Sequence, residues 1–209
     1  MLDVHPPHHA PSGWRDFLLH IGTIAVGLLI AIGFEQTVEF FHHRHLRHQA
    51  EENLHAEMRD NRLILARDEA QLQAAIRQFK KNLAILAALR AHTTPPGELA
   101  FNWYWSSMQS AGLNTARDTG ALALMPYDAA QEFSVVYGQQ DIVNRQALAY
   151  IDDIYRISAP LEGRKAADLQ PAELDAMTAL TQQTLSDIEH LHDLCTNLDA
   201  IYARTAGQL

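Results

Sequence analysis

The eighteen residues from Phe17 to Phe34, FLLHIGTIAVGLLIAIGF, are apolar or small except for His20 and Thr23. At about 1.5 Å per residue, a helix of this length is just long enough for a hydrocarbon core of roughly 30 Å, so the stretch reads as a membrane anchor. Trp14 and Arg15 before it and Glu35 after it suit the headgroup zone. A signal peptide would open with basic residues and close on a small-residue cleavage site. Here the run follows MLDVHPPHHAPSGW and leaves through Glu35-Gln36-Thr37. A buried core helix fits poorly as well, because nothing later is apolar enough to wrap one. We therefore expect a transmembrane anchor over residues 14–36, crossing once. Residues 1–13, with three prolines and with His5, His8 and His9, are expected to form a disordered tail.

Within the anchor Thr23, Gly27 and Ala31 stand four apart and share one helical stripe. Helices in lipid associate by packing, and small residues let two of them approach closely, so this stripe is the candidate surface for self-association or for a partner's helix. His20 is an ionisable group one turn from the end of the span, where snorkelling to the interface suits it.

From Glu35 to Arg90 there is no Pro or Gly, and the anchor is expected to run on as one long helix; Glu35 to Arg90 alone would extend about 80 Å. Met58, Leu65, Leu72, Phe79 and Leu86 recur every seven residues, with Leu54, Ile76 and Leu83 three or four positions away, a core stripe of coiled-coil type. Asn61 and Asp68 fall near that seam, where they either fix register as buried polar groups or face water at its margin. Glu69 and Gln73 are expected on the opposite, solvated surface.

Pro95-Pro96-Gly97 ends that pattern. Further helices are expected at about 98–109, 114–122, 128–158 and 171–205. The aromatic residues Phe101, Trp103, Tyr104 and Trp105 form either a core plug or a binding surface. Asp128 with Gln131 suggests a capped start. Phe133, Val136, Tyr137, Ile142, Val143, Leu148, Ile151, Ile154 and Tyr155 largely share a face, and Pro171 suits a first helical turn. Leu174, Met177, Leu180, Thr184, Ile188, Leu191, Cys195, Leu198 and Tyr202 recur every three or four residues, which makes Cys195 a core residue rather than a nucleophile. The expected fold is all-α: one N-terminal transmembrane helix continuing into a long helix, and an antiparallel helical bundle or coiled-coil domain over residues 37–209.

The chain has 12 histidines, and His42, His43, His45, His48 and His55 crowd one region. They make either a headgroup-zone surface or a pH-responsive one. Glu-x-x-His occurs at Glu39 with His42, Glu52 with His55 and Glu189 with His192. Residues three apart share a helix face, and paired motifs of this form plus two further glutamates build dimetal sites in bundles. Those further glutamates have no obvious positions here, so Glu52, His55, Glu189 and His192 stand only as candidate ligands and no cofactor is expected. The net charge of −9 with no basic face argues against nucleic acid as a partner. One cysteine excludes an internal disulfide.

The anchor ending IAVGLLIAIGFEQTVE, the charged helix carrying Glu57-Met-Arg-Asp60-Asn61, and TARDTGALALMPYDAAQEFSVVYGQQ together resemble bacterial single-pass membrane proteins of the domain-of-unknown-function type. The matching positions are Gly27 to Ala31, Glu35, Asn61, Thr119 to Leu122 and Tyr137. The resemblance implies a bacterial inner-membrane location with a cytoplasmic N-terminus and the helical domain outside, and it carries no catalytic residue across. The chain departs from that pattern in its flanks, where Arg15 precedes the anchor but Arg44 and Arg47 follow it. The resulting expectation is a membrane-anchored helical interaction protein, a scaffold or accessory subunit without catalysis of its own. Its expected partners are membrane lipid and either further copies of itself or another membrane protein. The alternatives are a ligand-sensing bundle acting through a partner and a metal-binding bundle using the Glu-x-x-His pairs.

Overall fold

The structure, a computed structural model, describes residues 13–206; the expected N-terminal tail lies outside the described residues apart from Gly13. Four α-helices and no strand occur among the described residues: α1 (Trp14–Arg90), α2 (Ala111–Asp118), α3 (Tyr127–Ser158) and α4 (Pro171–Ala206). Short 3-10 turns fall at Ala121–Leu124, Ala159–Leu161 and Ala166–Asp168. The expected all-α class, with a long apolar N-terminal helix running into a bundle, is what the structure shows. It divides between His48 and Gln49 into two units, later than the sequence boundary at residue 36.

In the first unit, α1 is helical from Trp14 onward and exposed through His45. Its most apolar eighteen-residue window has a mean hydropathy of 2.3 and no buried residue, so within this chain it is not a core helix; by length and composition it can cross a membrane. Thr23 donates its hydroxyl hydrogen to the Leu19 carbonyl at 2.9 Å, which satisfies the one hydroxyl in the Thr23, Gly27, Ala31 stripe from inside the helix.

The second unit is built around the rest of α1. Met58, Leu65, Leu72, Phe79 and Leu86 are all buried, as their seven-residue recurrence requires, and so is Leu54 four positions before Met58. α4 runs antiparallel to α1, joined to it by Arg62 with Asp199 at 2.7 Å, Lys80 with Glu189 at 2.7 Å and Arg90 with Asp175 at 2.8 Å. It buries Leu174, Met177, Ile188, Leu191, Cys195, Leu198 and Tyr202. α3 runs parallel to α1, since Tyr137 meets Glu57 and Gln140 meets Asn61, and antiparallel to α4, since Tyr150 meets Asp187 and Gln140 meets Tyr202. A parallel pair needs a return path, and residues 98–110 supply it.

That return path overturns one expectation. Residues 98–109 are not a helix but irregular, extended chain laid antiparallel along α1. In a helix their backbone groups would bond one another. Here side chains of α1 and α3 supply partners instead, and the pattern of exposure shows the result: Phe101, Trp103 and Trp105 are half-buried while Asn102 and Tyr104 face solvent. The expected helix at 114–122 is displaced to α2 and a 3-10 turn, with Gly120 at φ 76° between them. On α3, Ile142, Leu148 and Tyr155 are exposed rather than on the buried face. Nor does Asp128 cap α3, whose N-cap is Pro126 without a side-chain bond.

Helix α1 ends before the prolines. His92 adopts φ 55°, its N–H donates to the Leu89 carbonyl and that of Thr93 to the Ala88 carbonyl, the two bonds of a Schellman closure. Pro171 opens α4 as expected. The carboxylate of Glu173 accepts the Gln170 N–H at 2.7 Å and two bonds from Arg164 at 2.7 and 3.0 Å. The Arg164 guanidinium and then the Gln170 amide hold the Glu173 carboxyl down at about 2.

Candidate functional site

The side chains that face residues 98–110 are seven apart on α1. Asn82 accepts the Ala100 N–H at 3.2 Å and donates to the Ala100 carbonyl at 2.6 Å. Asn61 does the same for Gln109, at 2.7 Å each way. Between them both oxygens of Asp68 approach the Ser106 N–H, at 3.2 and 3.1 Å. Seven helical residues rise about 10.5 Å and three extended residues about 10 Å, so positions 61, 68, 75 and 82 keep step with 109, 106, 103 and 100. At position 75 the side chain is the small Ala75, and its counterpart by register is the bulky Trp103. Heptad spacing on one helix thus becomes triplet spacing on an extended chain.

From α3, Asn144 clasps Met108 through both backbone groups, at 3.1 and 3.0 Å, and accepts the Trp105 ring N–H at 3.3 Å. Gln140 donates to the Gln109 carbonyl at 2.7 Å and accepts from Asn61 at 3.0 Å and from the Tyr202 hydroxyl at 2.6 Å. Glu57 closes the upper end, accepting the Gly112 N–H at 2.8 Å and the Tyr137 hydroxyl at 2.7 Å. A Cβ at position 112 would lie 3.1 Å from a Glu57 oxygen, so any larger residue there would push the Glu57 carboxylate back from the bond it makes. Burial, then the bond to Glu57, raises the Tyr137 phenol above its ordinary range; burial, then the Glu57 charge, does so for Tyr202. Asp68 is 1% exposed, and burial lifts its carboxyl to about 6 against the opposing pull of the Ser106 N–H.

Asn61 and Asp68 are therefore buried, the first of the two roles open to them in the sequence. Asn82, Gln140, Asn144 and Tyr202 belong to the same lattice without having been singled out for it. The signal available was the repetition of Asn61, Asp68 and Asn82 in heptad step, each three residues after a member of the apolar stripe, Met58, Leu65 and Phe79. Gln73 is exposed as expected, whereas Glu69 is half-buried beside α4: the His192 ring lies 3.5 Å from a Glu69 oxygen and 3.3 Å from the Gln73 amide.

The candidate metal ligands are not brought together. His55 stacks edge-on against Phe133 at 5.1 Å, Glu189 pairs with Lys80, and His192 faces Glu69; among the described residues no three His, Cys, Asp or Glu side chains are grouped to hold a metal ion. Of the histidine cluster, His42, His43 and His45 are exposed on α1, with His43 at 3.8 Å from Glu39. Cys195 is fully buried, and burial pushes its thiol up to about 12, so it sits as a core residue.

The open cavity of most interest lies between α1 and α4, about 870 Å³ in volume. Its apolar wall is Met58, Leu63, Ala66 and Tyr202, with Leu63 itself 59% exposed. Around it stand His55, Arg59, Arg62, Glu69 and Asp199. Arg62 is held by Asp199 through two bonds, at 2.7 and 3.2 Å, and Glu69 faces His192. Burial and then the nearby Arg59 charge lower the His55 pKa. Arg59 makes no ion pair among the described residues.

Compared with family models, with curated proteins and with solved structures, the chain matches none.

Proposed function

We propose that this chain is a single-pass protein of the bacterial inner membrane whose extracytoplasmic helical bundle works by binding, as a scaffold or accessory subunit of a membrane complex. The observation that carries this reading is how the buried polar side chains are used. Asn61, Asp68, Asn82, Asn144, Gln140 and Glu57 all bond the chain's own backbone at residues 100–112, so they act as fastenings. The exposed apolar window of α1 supports insertion in lipid, and the likeness to single-pass bacterial membrane proteins supports the compartment and orientation. Extraction in mild detergent, purification through a C-terminal tag and mass spectrometry of what accompanies the chain test it. A second protein in stoichiometric amount is the expected result. Recovery of a homo-oligomer alone would overturn the accessory role and move the weight to self-assembly through Thr23, Gly27 and Ala31.

A second reading, a ligand-binding bundle that signals through a partner, is favoured by the open cavity between α1 and α4.

A further inference from the structure

We propose that the cavity between α1 and α4 binds a single-chain amphiphilic carboxylate, its apolar body along Met58, Leu63, Ala66 and Tyr202 and its carboxylate on Arg59. This rests on the ligand-binding reading and not on the identity of any partner. The volume of about 870 Å³ lies within the range of roughly 300–1,000 Å³ usual for small-molecule sites. The wall is apolar, and Leu63 is a large hydrophobic side chain left 59% exposed beside it. The pairing of the charges at the rim points to the sign of the ligand. Asp199 is paired with Arg62 at 2.7 Å, and Glu69 lies 3.5 Å from the His192 ring, which offsets its charge only when protonated. Arg59 is the guanidinium in this lining with no ion pair among the described residues, a planar fork suited to a carboxylate. An apolar wall with an unpaired guanidinium at its edge is the complement of an apolar chain ending in one anion.

The test uses the full chain in phosphatidylcholine nanodiscs, which avoids competition from detergent, and dansyl-labelled undecanoate as the probe. Saturable fluorescence enhancement at one probe per chain, above that of empty nanodiscs, is expected. Arg59→Gln should weaken it by about ten- to a hundredfold, as loss of a charged hydrogen-bond partner does. Ala66→Trp, which fills the cavity from an exposed position, should abolish it, as Leu63→Gln should weaken it, while Leu148→Gln on α3 leaves it unchanged. Helical circular dichroism of each variant establishes that it is folded. No saturable signal above empty discs, or binding indifferent to both Ala66→Trp and Leu63→Gln, overturns the proposal. Equal affinity for the matching dansyl-labelled undecyl alcohol overturns its carboxylate specificity. A chain that copurifies with a stoichiometric partner but binds no probe loses this inference and keeps the accessory role.

Discussion

Helix α4 and the extended residues 98–110 both run antiparallel to α1, yet the balance of what holds them there differs. α4 satisfies its own backbone and meets its neighbours with an apolar face, Leu174, Met177, Ile188, Leu191 and Leu198, so its attachment is area removed from water. Residues 98–110 make no ladder of their own. Beside the burial of Met108 and the ring contact of Phe101 with Phe79, their attachment is a set of directed bonds from Asn61, Asp68, Asn82 and Asn144, each placed by a helix formed elsewhere in the chain. An apolar face tolerates small displacements, whereas a side chain that grips one N–H and one C=O fixes a particular residue. The extended segment is thus set in register more narrowly than the helix beside it, although it is the less regular of the two.

The largest effect is expected from the apolar side of this comparison. Leu191→Ala, at a position with no exposure, should lower the unfolding free energy by about 2–5 kcal/mol, since the lost contact and the residual cavity both count. Urea unfolding followed by circular dichroism measures it, and amide exchange should accelerate through α4 and α1 together. Asn61→Leu comes next, at about 1–2 kcal/mol, because it leaves the part-buried Gln109 N–H without its acceptor. Its exchange pattern should differ, with protection lost first at residues 106–112 while α4 keeps its own. Equal loss in both regions would mean that the segment and α4 do not differ in the way argued here.

The same contrast explains what could be read from the sequence. α4 was legible because Leu174, Ile188, Leu191 and Leu198 carry the helical period within the segment itself, and the heptad of Met58 to Leu86 was legible for the same reason. Glu98 to Gln109 misled because its apolar and aromatic residues are compatible with a short helix, and the groups that hold it extended lie 18 to 48 positions away in the chain. Asn61 and Asp68 could be marked as polar residues near a core seam. That they act as a ruler required knowing that the chain opposite is extended, with three residues to their seven. The α1–α4 cavity was hidden for a related reason: its walls come from two helices far apart in the chain, and that Arg62 is taken up by Asp199, 137 residues away, while Arg59 has no ion pair among the described residues, shows only once they are packed.

Asp68 is the rung that differs from its neighbours, and it gives the pH dependence. Burial raises its carboxyl to about 6 in the folded chain, above the ordinary 3.8 of an exposed aspartate. The folded state therefore holds the proton more tightly than the unfolded one. This contribution to stability is fully present below about pH 4 and is lost as pH rises through 6. Asp68→Asn removes the charge and offers the Ser106 carbonyl a donor, as Asn61 and Asn82 do for their own partners. It should exceed the parent in stability on the order of 2 kcal/mol at pH 8 and lose that advantage at pH 4. Thermal melts of the pair at the two pH values check this. A constant difference between them would remove Asp68 as the titrating rung.

The smallest effect belongs to the turn that launches the extended segment. His92 is the non-glycine residue found at positive φ among the described residues, at 55°, and it sits where the Schellman bonds from His92 to Leu89 and from Thr93 to Ala88 close α1. A side chain there meets the carbonyl that disfavours left-handed backbone, and glycine escapes that cost while adding entropy to the unfolded chain. The two oppose each other, so His92→Gly should gain only about 0.5 kcal/mol. His92→Ala keeps the left-handed strain and discards the imidazole, so it should gain nothing. Equal gains in both variants would place the relief in the ring rather than in the backbone. A gain confined to glycine would show that α1 ends by imposing a strained conformation on this residue, which is how the chain leaves the helix at the point from which residues 98–110 can run back along it.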